Sequence, residues 1–309
     1  MTLFDAIILG LVEGLTEYIP VSSTGHLIIA SSLLGLDRDP DTESAVNAFN
    51  IVVQGGAILA VLGIFWPRVS SMISGILGRN PVGLKLFRNI VIAFLPAAVL
   101  GVLLDDLIES MLFKPAPVIA ALAIGGILLI GMRKWQDSIY TSEEHEESSN
   151  LFTDIESLSW QKALAIGFLQ CVAMWPGTSR SMMTIVGGMF MGLRPRQAAE
   201  FSFLLGLPTL GGACAYKLMK SGSEIASLGW MPVVIGIVVA TISAAFAVKW
   251  LVNYLSKHGL AIFGWYRIAL AIILAGLWLG GVVQFGPDNA SEDEPSAPVV
   301  FTESASSTS

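Results

Sequence analysis

Residues 13–26 read Glu13-Gly14-Leu15-Thr16-Glu17-Tyr18-Ile19-Pro20-Val21-Ser22-Ser23-Thr24-Gly25-His26. Glu13 and Glu17 are four residues apart and share one helical face. Pro20 and the run Val21–Gly25 then break the helix near the middle of an otherwise apolar segment, 1–36. Each charge at mid-bilayer costs at least about 2.5 kcal/mol on insertion scales, and two like charges cost more. The pair is tolerable there if a cation holds it or one carboxyl keeps its proton. The plain alternative is an interfacial helix whose glutamates face water. Irregular backbone at membrane depth survives only when buried in protein or lining a polar cavity. The segment is therefore expected to dip into the bilayer and return.

The rest of the chain has a membrane protein's composition. It has 309 residues, 54% of them hydrophobic and 13% charged, with a mean hydropathy of +0.71. Soluble domains carry roughly a quarter charged residues. Charges are absent from 44–67, 89–104, 115–132, 163–179, 181–193, 201–216, 225–248 and 268–286. A spanning helix needs about 20 mainly apolar residues, which predicts spans at 46–66, 88–104, 115–132, 197–217, 229–252 and 262–283. The stretches within 160–193 are short and interrupted, and predict a second broken hairpin. Asp5, Glu13 and Glu17 interrupt the first apolar run, and the first basic residue is Arg38, so no signal peptide is expected.

Connection 67–88 carries Arg68, Arg79, Lys85 and Arg88, whereas 105–114 carries Asp105, Asp106 and Glu109 against Lys114. The positive-inside rule puts the first in the cytoplasm and the second outside. Arg133, Lys134, Arg194 and Arg196 then fall inside, the C-terminus falls outside, and only Lys217 and Lys220 run against the scheme. The two hairpins enter from opposite faces. They are also alike: Ile19-Pro20-Val21-Ser22-Ser23 aligns with Trp175-Pro176-Gly177-Thr178-Ser179, and Ala48-Phe49-Asn50 with Glu200-Phe201-Ser202. The expectation is an all-α, polytopic membrane protein with an inverted-topology repeat and two re-entrant helical hairpins, its site where the broken helices meet. Residues 1–285 form one transmembrane domain with halves 1–132 and 160–285, joined by an acidic loop, 133–159. The acidic stretch Thr141–Glu156 and the tail 286–309 are expected to be solvated and mobile. They supply much of the net charge of −7; nothing suggests nucleic acid as a partner.

The first hairpin gathers Ser22, Ser23, Thr24 and His26. A loop running into a helix over Leu27–Leu34 would offer amides and a positive dipole end to an anion. His145 and His258 lie in or near polar connections, and Cys171 and Cys214 read as small packing residues. The second hairpin supplies Arg180, the only basic residue between Lys162 and Arg194. A guanidinium fork suits a phosphate, with Gly177, Ser179, Ser181 and Thr184 around it; the bland alternative is an ion pair neutralising Glu13 or Glu17. Two carboxylates suited to Mg²⁺ or Ca²⁺, an arginine, hydroxyl nucleophiles and a possible general acid are the parts for phosphoryl transfer.

At this point the motifs match a family. Glu13–Glu17 running into Pro20–His26 resembles the first signature of the bacterial undecaprenyl-diphosphate phosphatases of the bacitracin-resistance type. Pro176-Gly177-Thr178-Ser179-Arg180-Ser181 with Thr184 resembles their second, and the likeness runs to about Gly281. The resemblance implies a multi-pass enzyme of the bacterial inner membrane that hydrolyses a C55 isoprenyl diphosphate to the monophosphate, recycling the lipid carrier for peptidoglycan. Glu13, Glu17, Ser23, His26 and Arg180 fall on its functional positions, with Ser22, Thr24, Gly177, Ser179, Ser181 and Thr184 as phosphate contacts and Glu13 and Glu17 as metal ligands. Met182 and Met183 depart from its pattern. Ser23 is the expected nucleophile and His26 the expected general acid; His26 or water as nucleophile are the rivals. The site is expected to face outward. The competing class is a transporter moving a polyprenyl phosphate lipid through the same site; a homodimer is a further expectation.

Overall fold

The computed structural model describes residues 1–37, 40–137 and 153–283. Among them are eleven helices of at least 11 residues and no strands. They are α1 (Leu3–Thr16), α2 (Ser23–Leu33), α3 (Pro40–Ile64), α4 (Trp66–Ile76), α5 (Pro81–Leu112), α6 (Pro115–Gly131), α7 (Trp160–Val172), α8 (Arg180–Phe190), α9 (Pro195–Ser227), α10 (Trp230–Leu255) and α11 (Ala261–Leu279). Local chemistry sets their starts. Thr2 and Asp5 form a capping box on α1, Asn80 caps α5 ahead of Pro81, Ser159 caps α7, and prolines open α6 and α9.

Stretches Ser44–Ile64, Pro81–Leu104, Pro195–Lys220, Trp230–Leu255 and Ala261–Leu279 are long and apolar enough to cross a membrane. The sixth expected span is α6, equally apolar but 17 residues long, or about 25 Å at a helical rise. Along α10, Val234, Val238, Ile242 and Phe246 form an exposed apolar stripe at helical spacing, suited to lipid.

The packing is two-fold. Helix α1 lies on α10 as α7 lies on α5; α3 meets α10 as α9 meets α5; and α3 pairs with α9 as α6 pairs with α11. Glycines permit the closest approaches. A Cβ at Gly10 would lie 2.6 Å from the Gly236 carbonyl oxygen, and one at Gly167 would lie 2.4 Å from that of Ala93. Gly10 and Gly167 stand at matching places in α1 and α7.

Four sequence expectations need correcting. Connection 67–88 is largely helical, holding α4 and the first turns of α5. The helix after Pro20 starts at Ser23, not Leu27, so the break is confined to 17–22. The repeat alignment is off by one: Ser22 (φ 73°, ψ 102°) and Ser179 (φ 75°, ψ 111°) share a rare backbone conformation immediately before α2 and α8. Matching the serines puts Gly10 on Gly167 and Pro20 on Gly177 without a gap, and Gly177 takes φ 93° there. Finally, the acidic stretch is not solvated throughout. Ile155 and Leu158 are buried, Asn89 donates to the Leu158 carbonyl at 2.8 Å, and Glu156 pairs with Arg68, which also holds Glu200. Residues 138–152 and the tail 286–309 lie outside the described residues.

Candidate active site

Helix α1 delivers both carboxylates to the interior: Glu13 is 0% exposed and Glu17 is 7% exposed. Glu17 caps the C-terminal end of α1. Five residues on, Ser22 adopts its positive φ, a conformation that costs a non-glycine residue about 1–3 kcal/mol and persists only where its surroundings enforce it. That turn aims the next residue back at α1, so Ser23 Oγ donates to Glu17 Oε2 at 2.7 Å.

The second hairpin repeats the device. Ser179 takes the same backbone angles, its hydroxyl accepts from Met182 N at 3.3 Å, and Arg180 opens α8. Arg180 Nη2 donates to Glu17 Oε1 at 2.7 Å, Nη1 donates to the Ser202 carbonyl at 3.1 Å, and the guanidinium lies 5.3 Å over the Tyr18 ring. The first residue of each second helix therefore bonds one oxygen of a single carboxylate. Burial makes this pairing consequential, since a desolvated charge left alone is costly.

Other hydroxyls lock the hairpins together. Ser181 Oγ donates to the Ile19 carbonyl at 3.1 Å and lies 3.0 Å from Ser179 Oγ. Thr184 Oγ1 donates to the Arg180 carbonyl at 2.9 Å and lies 2.6 Å from Ser202 Oγ. Ser181 and Thr184 are both fully buried. Met182 and Met183 are buried in the main core, so they pack the hairpin. Thr24, in the first turn of α2, is half-buried.

His26 lies in the first turn of α2, three residues after Ser23. Its Nδ1 lies 2.7 Å from the Ser22 carbonyl and its Nε2 lies 2.7 Å from the Tyr266 hydroxyl, whose ring stacks on it at 5.6 Å. A carbonyl only accepts, so Nδ1 carries a hydrogen, and in the neutral ring Nε2 accepts from Tyr266.

Sequence reading missed Tyr18, Ser202, Tyr266 and Arg267. Arg267 is fully buried; Nη2 donates to the Gly177 carbonyl at 2.8 Å and to the Ala121 carbonyl at 3.0 Å. Adjacent residues of α11 thus hold His26 of one hairpin and Gly177 of the other. A signal existed: Arg267 is the only Lys, Arg, Asp or Glu between Lys257 and Asp288, and a lone charge inside a span is a functional flag.

Glu13 has no hydrogen-bond partner on either carboxylate oxygen. A buried carboxyl in that state suits a bound cation or a retained proton. Among the described residues no cluster of three His, Cys, Asp or Glu side chains forms a ready metal cage. A cation held by Glu13 and Glu17 would therefore need further oxygens from a ligand or water.

The sequence profile described as "Bacitracin resistance protein BacA" matches residues 6–273. The chain belongs to that family. Among its relatives, an "Undecaprenyl-diphosphatase" of Sorangium cellulosum is 45% identical over 278 residues, 89% of this chain and 86% of the relative. One of Azotobacter vinelandii is 43% identical over 282 residues, 91% and 96% of the two chains, and one of Variovorax paradoxus is 42% identical over 283 residues, 91% and 97%. The family match spans both hairpins, from α1 to α11.

Proposed function

We propose that this protein hydrolyses the phosphoanhydride of a C55 isoprenyl diphosphate, releasing inorganic phosphate and leaving the lipid monophosphate that carries cell-wall precursors. The observation that carries the reading is the convergence of Ser23 and Arg180 on Glu17. Ser23 Oγ attacks the terminal phosphorus while its proton passes to Glu17 Oε2. The bond from phosphorus to the bridging oxygen breaks, and the lipid phosphate departs. Water then cleaves the phosphoserine, its proton replacing the one lost from Ser23 by way of Glu17. Arg180 spends one N–H of each terminal nitrogen on Ser202 and Glu17, so donors remain for phosphate, and it then spreads the developing charge. His26 is the general acid of this scheme; to act, it must first take a second proton from water on Nε2 and exchange Tyr266 for an oxygen of the leaving phosphate, to which that proton passes. Ser22, Thr24, Ser179 and the amides opening α2 and α8 supply phosphate contacts. Ser181, Thr184 and Gly177 shape the second hairpin around them.

The orphaned Glu13 carboxylate fits a divalent cation, Mg²⁺ or Ca²⁺, which Glu13 and Glu17 would hold and which would offset the diphosphate's negative charge. The apolar flanks of α1 and the spans suit the prenyl chain, which needs no polar recognition.

The proposed setting is the bacterial inner membrane, with α1–α2 and α7–α8 as re-entrant hairpins. Three crossings, α3, α5 and α6, separate them, and an odd number inverts the second relative to the first. The basic bias of 67–88 then directs the first hairpin, and the site, outward. Both hairpins come from one chain, so a homodimer is not needed to complete the site. The relatives named above are phosphatases, and lipid transport gains no support from them. Phosphate release from the C55 diphosphate in detergent, set beside head-group movement across liposomes, tests the reading. Release supports it; movement without release would replace it.

A further inference from the structure

The geometry points to a second anion site, which binds a phosphate-bearing anion in a cavity of about 520 Å³ at the far end of the α6–α11 pair. Its lining includes Arg133, Gln136 and Asp137 from just beyond α6, Lys257 and His258 from the α10–α11 connection, and Trp265 of α11. Gln136 is fully buried. Its Oε1 accepts from Leu260 N at 2.6 Å, which fixes the amide orientation, and its Nε2 donors have no partner. Gln136 lines the cavity, and a buried NH₂ costs stability unless something accepts from it. The walls are net positive, with Arg133 and Lys257 against Asp137, which Arg133 meets at 3.7 Å in an exposed pair of little strength. The N-terminus of α11 adds a positive dipole end, since Gly259, Ala261 and Ile262 also line the space.

These features select an acceptor-rich anion, and the setting selects its class. Trp265 is 62% exposed and Ile262 is 56% exposed, so the cavity opens beside an apolar face with an aromatic residue at its rim, as at a membrane interface. The charge bias that directs the first hairpin outward directs residues 133 and 257 inward. Basic pockets between helices on that side suit anionic head groups. This is not the hydrolytic site. Helices α6 and α11 run antiparallel, with Gly125 against Arg267, and Gln136 is eleven residues further on, about 16 Å at a helical rise.

Native mass spectrometry of the full chain in detergent tests this with short-chain phosphatidylglycerol, with phosphatidylcholine as the zwitterionic control, and with inorganic phosphate as competitor. Lys257→Gln removes a surface charge. Gln136→Glu keeps the acceptor for Leu260 and replaces the donor with a carboxylate. The site predicts that phosphatidylglycerol is retained over phosphatidylcholine and that each variant weakens retention at least tenfold. Phosphate release by Lys257→Gln in lipid-free detergent stays at the wild-type rate. Displacement by millimolar phosphate identifies free phosphate as a sufficient ligand; resistance to it identifies the lipid head group. Equal retention of both lipids with no phosphate bound, or unchanged anion retention in both variants, would overturn the proposal.

Discussion

Arg180 donates to Glu17 at 2.7 Å across 163 positions of sequence, and the two residues come from opposite hairpins. Neither half of the chain holds this pair alone. Because Arg180 also reaches the Ser202 carbonyl, its two terminal nitrogens hold different partners, a geometry that a single ammonium nitrogen does not reproduce. Arg180→Lys keeps the charge and loses the fork. The expected result is a fall of about 100-fold or more in kcat/KM, the scale of one lost transition-state donor, measured by steady-state phosphate release.

Glu13→Gln tests the orphaned carboxylate. The amide matches it in shape, carries no charge, and relieves the like-charge proximity to Glu17. Thermal stability in metal-free detergent should hold or rise. The half-saturating concentration of Mg²⁺ or Ca²⁺ should climb at least about tenfold, since a hard cation loses a charged oxygen ligand. An unchanged metal titration in a folded variant would remove Glu13 from the ligand set.

The paired serines give a stability test with a built-in contrast. Ser22 holds positive φ, and its buried hydroxyl has no partner; Ser179 holds the same φ, and its hydroxyl caps Met182. Ser22→Gly should stabilise the fold by about 1 kcal/mol through relief of strain. Ser179→Gly should gain less, because losing an N-cap to glycine costs a few tenths of a kcal/mol. Thermal unfolding of the two variants side by side reads the difference.

Tyr266→Phe removes only the hydroxyl that meets His26 at 2.7 Å and keeps the stacked ring. Turnover should change by about tenfold, within the range of a general acid's contribution, while the melting temperature moves little. Equal turnover would separate Tyr266 from the chemistry.

Much of this was legible in the chain. The apolar runs located the spans because a bilayer imposes a length and excludes charge, and the two signatures located the hairpins because proline and clustered serines cannot continue a buried helix. Their junction was harder to read. That Ser23 and Arg180 meet on one carboxylate depends on backbone angles at Ser22 and Ser179 that no propensity favours outside glycine. The one-residue slip in the repeat alignment has the same origin, because Pro20 and Pro176 look equivalent in sequence while the structure pairs the positive-φ serines and so sets Pro20 against Gly177. The partner of His26 was hidden for another reason. The helix starts at Ser23, so His26 falls one turn along it and meets α11, an element the motifs do not mention. Arg267 is a single charge beside a long charge-free run, and such runs mark spans more loudly than the one charge at their edge marks a site.

The most direct test is phosphate release from a C55 isoprenyl diphosphate by the purified protein, with Mg²⁺ or Ca²⁺ and with EDTA, beside Glu17→Ala and Arg180→Ala. The account predicts metal-dependent release by the wild type and near-complete loss in each folded variant, because either change dismantles the junction of the two hairpins. Absence of release from folded wild-type protein, or full activity in either variant, would contradict it.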